Sequence, residues 1–247
     1  MKIFFTLLVS LFLGLSAHAQ EFPNKPIRIV VPYSPGGGTD TVARLMAAHM
    51  SNAFGQQVIV ENKAGASANI GTEFVAKAPA DGYTIGLQTV SLAINPALTA
   101  KMPYDTLGDF EYLGLINEVP MTLVGRSTLP ASTMPELMKW IEANKGKINL
   151  ANAGLGAASH LCGLLFQQGV KVDMTTVPYK GTAPAMTDLL GGQVDLMCDQ
   201  TTNTTSQIEA GRVKAFAVTT AKPLSNHKLL KDYPTLAEMG LKNFNLT

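Results

Sequence analysis

The chain has 247 residues, with 19 Lys and Arg against 18 Asp and Glu, a formal charge of +1 at pH 7 and 46% hydrophobic residues. Near-neutral charge with no basic stripe excludes a nucleic-acid binder that relies on general electrostatics, and the apolar content suffices for the core of one large or two small domains. Its two cysteines, Cys162 and Cys198, form no CxxC pair, so a zinc or redox motif has no support.

At the start of the chain, Lys2, the apolar run 3–15 and then Ser16-Ala17-His18-Ala19 make the charged, apolar and small-residue parts of a secretory signal. Cleavage is expected after Ala19, leaving a free periplasmic chain, because the run is shorter than the roughly 20 apolar residues that span a bilayer. Without Lys2 the basic count falls to 18 (19 − 1) against 18 acidic residues, so a charged ligand must be held by local geometry. In an oxidising compartment Cys162 and Cys198 can bridge, but each lies in an apolar stretch that suits a buried free thiol, and both states remain open.

Residues 27–31 are a β-branched run between prolines and predict a buried strand. A glycine turn follows, then a helix whose Val42, Leu45, Met46, His49, Met50 and Phe54 recur at three- and four-residue steps, ending at Gly55. The cycle repeats with a strand at 58–61, a small-residue turn at 64–69, a helix at 70–77, a turn at 80–82 and a strand at 83–88. Such alternation predicts right-handed βαβ units and a parallel sheet. After strands at 110–116 and 121–125 the pattern starts afresh, with a join near 119–127. Pro135 opens a helix, and a strand at 148–152 leads into a second glycine turn at 154–159. Helices at 160–168, 184–190 and 206–210 then alternate with strands at 175–177, 194–198 and 214–218, which makes a second α/β unit.

The two glycine turns, Tyr33-Ser34-Pro35-Gly36-Gly37-Gly38-Thr39-Asp40 and Asn152-Ala153-Gly154-Leu155-Gly156-Ala157-Ala158-Ser159-His160, both run from a strand directly into a helix. Such a turn leaves the first helical N–H groups unpaired and lets an anion approach the backbone. Two of them face to face would clamp a dicarboxylate. Either turn also suits tight packing alone, and Thr39 and Asp40 suit N-caps. Nucleotide motifs fail: Gly38 is followed by Thr39-Asp40 rather than Lys and Ser or Thr, and Ser159 stands where the dinucleotide fingerprint needs a third glycine. No cofactor and no metal are expected. His160 lacks a catalytic partner, since neither G-x-S-x-G nor H-E-x-x-H occurs, so it reads as a helix-start His donating to backbone or ligand, and the chain as no enzyme. Asp199 follows a strand at the edge where open α/β sheets expose ligand contacts, or else caps a turn.

With these residues in view, the chain resembles the Bug family, the extracytoplasmic solute receptors of tripartite tricarboxylate transporters. The matching stretches are 26–37, 60–65 with Asn69-Ile70-Gly71, 80–84, Ile94-Asn95-Pro96-Ala97-Leu98, Ser159-His160-Leu161, Val177-Pro178-Tyr179-Lys180-Gly181 and 188–195. The resemblance implies a two-lobed α/β clamshell of the periplasmic-binding-protein (Venus flytrap) type, with parallel-rich sheets flanked by helices and lobes that close by hinge motion. On that pattern 1–19 is the signal, 20–122 the first lobe, 123–219 the second, and 220–247 a crossover returning toward the first lobe. Ligand contacts are implied for Tyr33, Ser34, Gly36, Gly37, Thr39, Asp40, Ala66, Ser67, Asn69, Ser91 and Asn95 from the first lobe. The second lobe would add Gly156, Ala157, Ser159, His160 and Asp199. The implied ligand is a small carboxylate: a dicarboxylate, a citrate-like acid, an acidic amino acid or an aromatic carboxylate. The implied partners are membrane permease subunits, with a membrane sensor kinase as the alternative, and the receptor is expected to be a monomer. Three departures stand out: the polar run Gln200-Thr201-Thr202-Asn203-Thr204, Ala66-Ser67-Ala68 where the family often has glycine, and an end at Thr247 where relatives continue back into the first lobe. A shortened copy, with the C-terminal part of the first lobe missing, is therefore expected.

Overall fold

The computed structural model describes residues 22–247, so the expected signal and its cleavage site lie outside the described residues. Ile27–Val31 (β1) is the centre of a three-stranded parallel sheet, flanked by Val58–Asn62 (β2) and Thr84–Gly86 (β3). Alternate residues Ile27, Ile29 and Val31 share a core with Ala43 and Ala47 of the helix Gly38–Phe54 (α1). That helix stops at Gly55, whose φ of 62° glycine adopts without a Cβ penalty. The buried face of α1 is rotated from the expected stripe. Ala43 and Ala47 are buried with Met46 and Met50 beside them, while Leu45, His49 and Phe54 are exposed. Alanines let the helix lie close on the strands, where the larger Leu45 would hold it off.

Two short helices complete this lobe, Asn69–Ala76 (α2) and Ser91–Leu98 (α3). The second has no sequence cue, because Pro96 sits inside it and interrupts any helical pattern. The strand expected at 110–116 is absent, and Leu113 and Leu115 there are 78% and 80% exposed. A strand exists only with a ladder partner, and among the described residues β3 pairs with β1 alone.

The second lobe carries a five-stranded sheet built from Met121–Arg126 (β4), Asn149–Asn152 (β5), Thr175–Pro178 (β6), Leu196–Gln200 (β7) and Val213–Val218 (β8), in the order β6-β5-β7-β4-β8. β6, β5 and β7 are parallel, while β4 runs antiparallel to both its neighbours. Its helices are Met134–Ala143 (α4), Ala158–Val170 (α5), Thr182–Leu190 (α6) and Thr201–Glu209 (α7). Both faces of the sheet are covered, so consecutive residues of β7 enter different cores: Leu196 and Cys198 join Leu137 and Phe166, and Met197 joins Ala185 and Leu189. α7 starts five residues before the expected 206. Its threonine run has no apolar stripe to announce it, and the hydroxyls of Thr204 and Thr205 donate back to the carbonyls of Gln200 and Thr201.

Cys162 of α5 and Cys198 of β7 form a disulfide with Cα atoms 6.0 Å apart, which decides between the two states left open. It closes a separation of 36 residues, worth about 3 to 4 kcal/mol in the chain-entropy model. Residues 220–247, expected to lead back to the first lobe, pack on the second. Leu230, Leu236, Leu241 and Phe244 are buried in its two cores, and Thr235 bridges Val218. Apolar burial against β8 is available at once, which fixes this segment where it emerges. The boundary expected between 122 and 123 falls inside β4, where Met121 and Thr122 already pair with Gln200 and Asp199.

Candidate functional site

β1 delivers the first glycine turn, and Asp40 fixes its shape. Asp40 Oδ2 accepts from the Gly36 N–H (3.0 Å) and Arg44 Nε (2.9 Å), and Oδ1 accepts from Arg44 Nη2 (3.0 Å) and Asn62 Nδ2 (2.9 Å). Burial opposes the charge, but the donors of Arg44, Gly36 and Asn62 outweigh it and hold this carboxyl below its usual range. With φ of 83°, Gly36 takes a turn that a side chain would strain. Tyr33 is buried, its hydroxyl 2.7 Å from Thr89 Oγ1 and 2.6 Å from Ser91 Oγ, and burial raises its pKa against those two bonds, so it stays neutral.

Ala66, Ser67 and Ala68 are consecutive left-handed residues, with φ of 46°, 56° and 74°. Each costs an L-residue about 1 to 2 kcal/mol, so the turn needs anchors. Asn95 Nδ2 supplies them by donating to the Ser67 carbonyl (2.7 Å) and Asn69 Oδ1 (2.9 Å), and Tyr104 donates to the same Asn69 oxygen (2.7 Å).

In the second lobe, β5 runs into a turn held by three side chains. Asn152 Oδ1 accepts from the Gly154 N–H (2.9 Å), Ser159 Oγ from the Ala153 N–H (2.8 Å) and His160 Nδ1 from the Gly156 N–H (3.1 Å). His160 Nδ1 thus accepts from the backbone, and burial lowers its pKa, which keeps the ring neutral with its proton on Nε2, the nitrogen left to donate. Asp199 is the penultimate residue of β7, buried to 2% exposure. Its Oδ1 accepts from the Gln200 N–H (2.6 Å) and Asn203 Nδ2 (3.2 Å), while Oδ2, shielded from water, has no hydrogen-bond partner. Burial pushes this carboxyl up from 3.8 to about 6, against the lowering effect of Thr182, the Gln200 N–H and Asn203. Thr182 is close enough to favour the charge without completing a hydrogen bond to Oδ2.

The two turns meet. A cavity of about 30 Å³, room for a water or two, is walled by Tyr33, Gly37, Gly38, Thr39 and Thr89 on one side. Ala153, Ala157, Ala158, Ser159, Thr182, Asp199 and Gln200 wall the other. Of the expected contacts, Tyr33, Gly37, Thr39, Ala157, Ser159 and Asp199 line this cavity. Gly36, Asp40 and His160 shape the turns behind it, Ser91 holds Tyr33, and Ala66, Ser67, Asn69 and Asn95 form one adjoining network. Ser34 instead ties lobe to lobe, its N–H and hydroxyl both reaching the Lys180 carbonyl (3.1 and 2.7 Å). Thr89, Thr182 and Gln200 escaped the sequence reading. Thr182 was legible, since Gly181 (φ 137°) opens a third glycine-led helix start at the end of a strand.

Glycine permits the approach. A methyl on Gly38 would stand 2.5 Å from Thr202 Oγ1, 3.1 Å from Asn203 Oδ1 and 3.2 Å from Gln200 Oε1, all on the opposite lobe, and one on Gly156 would stand 2.7 Å from Asn95 Oδ1. Among the described residues, no group of three or more His, Cys, Asp or Glu is placed to hold a metal ion.

Paired α/β lobes closed over a cleft walled by helix starts define a two-lobed binding protein. Residues 42–247 match the tripartite tricarboxylate transporter family receptor, and the chain belongs to that family, whose members are solute-binding receptors rather than enzymes. The periplasmic binding protein BugD superposes with a TM-score of 0.87 at 49% identity, over 91% of this chain and 74% of that one. A Rhodopseudomonas palustris protein with adipate gives 0.87 at 35% identity, over 91% and 75%. MatC of the same organism, with bound malate, gives 0.82 at 37%, over 91% and 76%.

Gly38→Ala should weaken ligand binding about tenfold by making the closed form costlier, while leaving unfolding stability near wild type, because the contacts it crowds lie across the cleft. Calorimetric titration beside urea unfolding checks both halves. For Asp199, the native state binds more protons than the unfolded state between about pH 4 and 6, so its contribution to stability falls as pH rises through that window, by on the order of 3 kcal/mol. Relative to Asp199→Asn, the wild type should therefore lose stability from pH 4 to pH 6 and hold level above, as read by urea unfolding of both proteins across that range.

Proposed function

We propose that this chain captures a small carboxylate between its lobes in the periplasm and delivers it to a tripartite tricarboxylate-type membrane transporter. The observation that carries this is the shared cavity: the starts of α1 and α5, one from each lobe, both contribute to its wall. Neither helix has a side-chain cap on its first N–H groups, so those donors and the positive ends of the helix dipoles are left for an anion. Recognition by backbone also suits a chain whose formal charge of +1 gives little to steer its ligand. The neighbours with adipate and malate support the same ligand class.

With turns from both lobes walling this small cavity, the lobes part for entry and close afterwards, as hinge-bending receptors do. The Ser34 bonds to Lys180 and the crowding at Gly38 are contacts made only in the closed form. Closure would present one composite surface to the permease, which is how a loaded receptor is distinguished from an empty one.

A panel of C4 to C6 mono-, di- and tricarboxylates tested by thermal shift decides the capture step. A true ligand at a hundredfold excess over its Kd adds about 2.7 kcal/mol of stability, and a panel that leaves the melting point unmoved rejects carboxylate capture. Uptake of the labelled hit by cells lacking this chain tests delivery, and unchanged uptake rejects it.

A further inference from the structure

The two buried carboxylates at the cleft are in opposite states. Asp40 accepts four hydrogen bonds, two of them from Arg44, and is saturated. Asp199 is 2% exposed and accepts only at Oδ1, while Oδ2 is cut off from water with no donor. None of the ion pairs among the described residues includes Asp199. A buried acceptor without a donor is costly, and a buried carboxylate more so, yet Asp199 stands in the wall of the cavity itself.

We propose that Asp199 Oδ2 is the docking point for a hydrogen-bond donor on the ligand, so that the receptor selects carboxylates that also carry a hydroxyl or ammonium group. This rests on the carboxylate reading and narrows it. A plain diacid at neutral pH brings only acceptors and negative charge, and would leave Oδ2 unpaired beside a like charge. A hydroxyl or ammonium next to the acid group supplies the missing donor to Oδ2 of a carboxylate that Gln200 and Asn203 already hold at Oδ1. The acid group itself would remain with the helix starts, so the two ends of the ligand are read by opposite chemistries. The raised pKa of Asp199 agrees with this, because a carboxyl that lacks a donor resists ionisation and a donor from the ligand relieves it.

The test is calorimetric titration of the purified chain at pH 7.5 with two matched series, succinate, malate and aspartate, then glutarate, 2-hydroxyglutarate and glutamate. In at least one series a donor-bearing acid should bind roughly tenfold or more tighter than its plain parent, since a site built around a hydrogen bond rejects the analogue that lacks it. Preference for the amino acid would assign the ammonium, and preference for the hydroxy acid the hydroxyl. Asp199→Asn, which places an amide donor at the cleft, should remove that preference or reverse it toward the plain diacid. If succinate and glutarate bind as tightly as their substituted partners, the proposal is overturned while carboxylate capture stands. If neither series binds, the proposal is overturned, and the wider carboxylate panel then decides whether carboxylate capture stands. The wild-type series alone decides should the variant not fold.

Discussion

The molecule is organised around one steric requirement: two helix starts from different lobes must come close enough to share a ligand, and only very small residues allow it. A methyl at Gly38 would force the side-chain oxygens of Thr202, Asn203 and Gln200 to move, and one at Gly156 would force that of Asn95. The supporting hydrogen bonds serve that approach. Asp40 fixes one turn and Asn152, Ser159 and His160 the other, so each turn is set within its own lobe before the lobes close on a ligand. Pre-organised donors cost nothing further at binding, which is why backbone recognition can suffice in a protein without a charged funnel.

Electrostatics then divides the cleft in two. The helix starts favour negative charge, whereas Asp199 opposes it and invites a donor. The disulfide from Cys162 to Cys198 joins these halves. It ties the helix whose first turn walls the cavity to the strand that carries Asp199, so the second lobe's helix start and its carboxylate move as one body.

Much of this was legible in the residues. β1 is a β-branched run between prolines, and β1, β2 and β5 each lead into a turn of small residues, from which the helices after them follow. The face of α1 was not, because periodicity weights Leu45 over Ala43 while close packing prefers the alanine. The segment 110–116 has strand composition without a strand, since pairing is a tertiary fact that composition cannot supply. α3 was hidden by Pro96, and α7 by threonines whose helical hydrogen bonds leave no apolar period. At the site, the glycine turns announced the cleft, and Asp199 was marked by its place after a strand. Thr89, Thr182 and Gln200 wall the cavity only because the lobes meet, a contact between residues up to Thr89 and residues from Ala153 onward that no local pattern encodes.

The central claim is that helix starts from both lobes hold one carboxylate between them. A crystal structure of the chain with a bound carboxylate tests it most directly. The acid oxygens should lie within hydrogen-bond distance of backbone N–H groups near Gly38 and Thr39 on one side and Ala158 and Ser159 on the other, directly or through one water. A carboxylate bound on the outer surface, or held by one lobe alone with the other turned away, would contradict it.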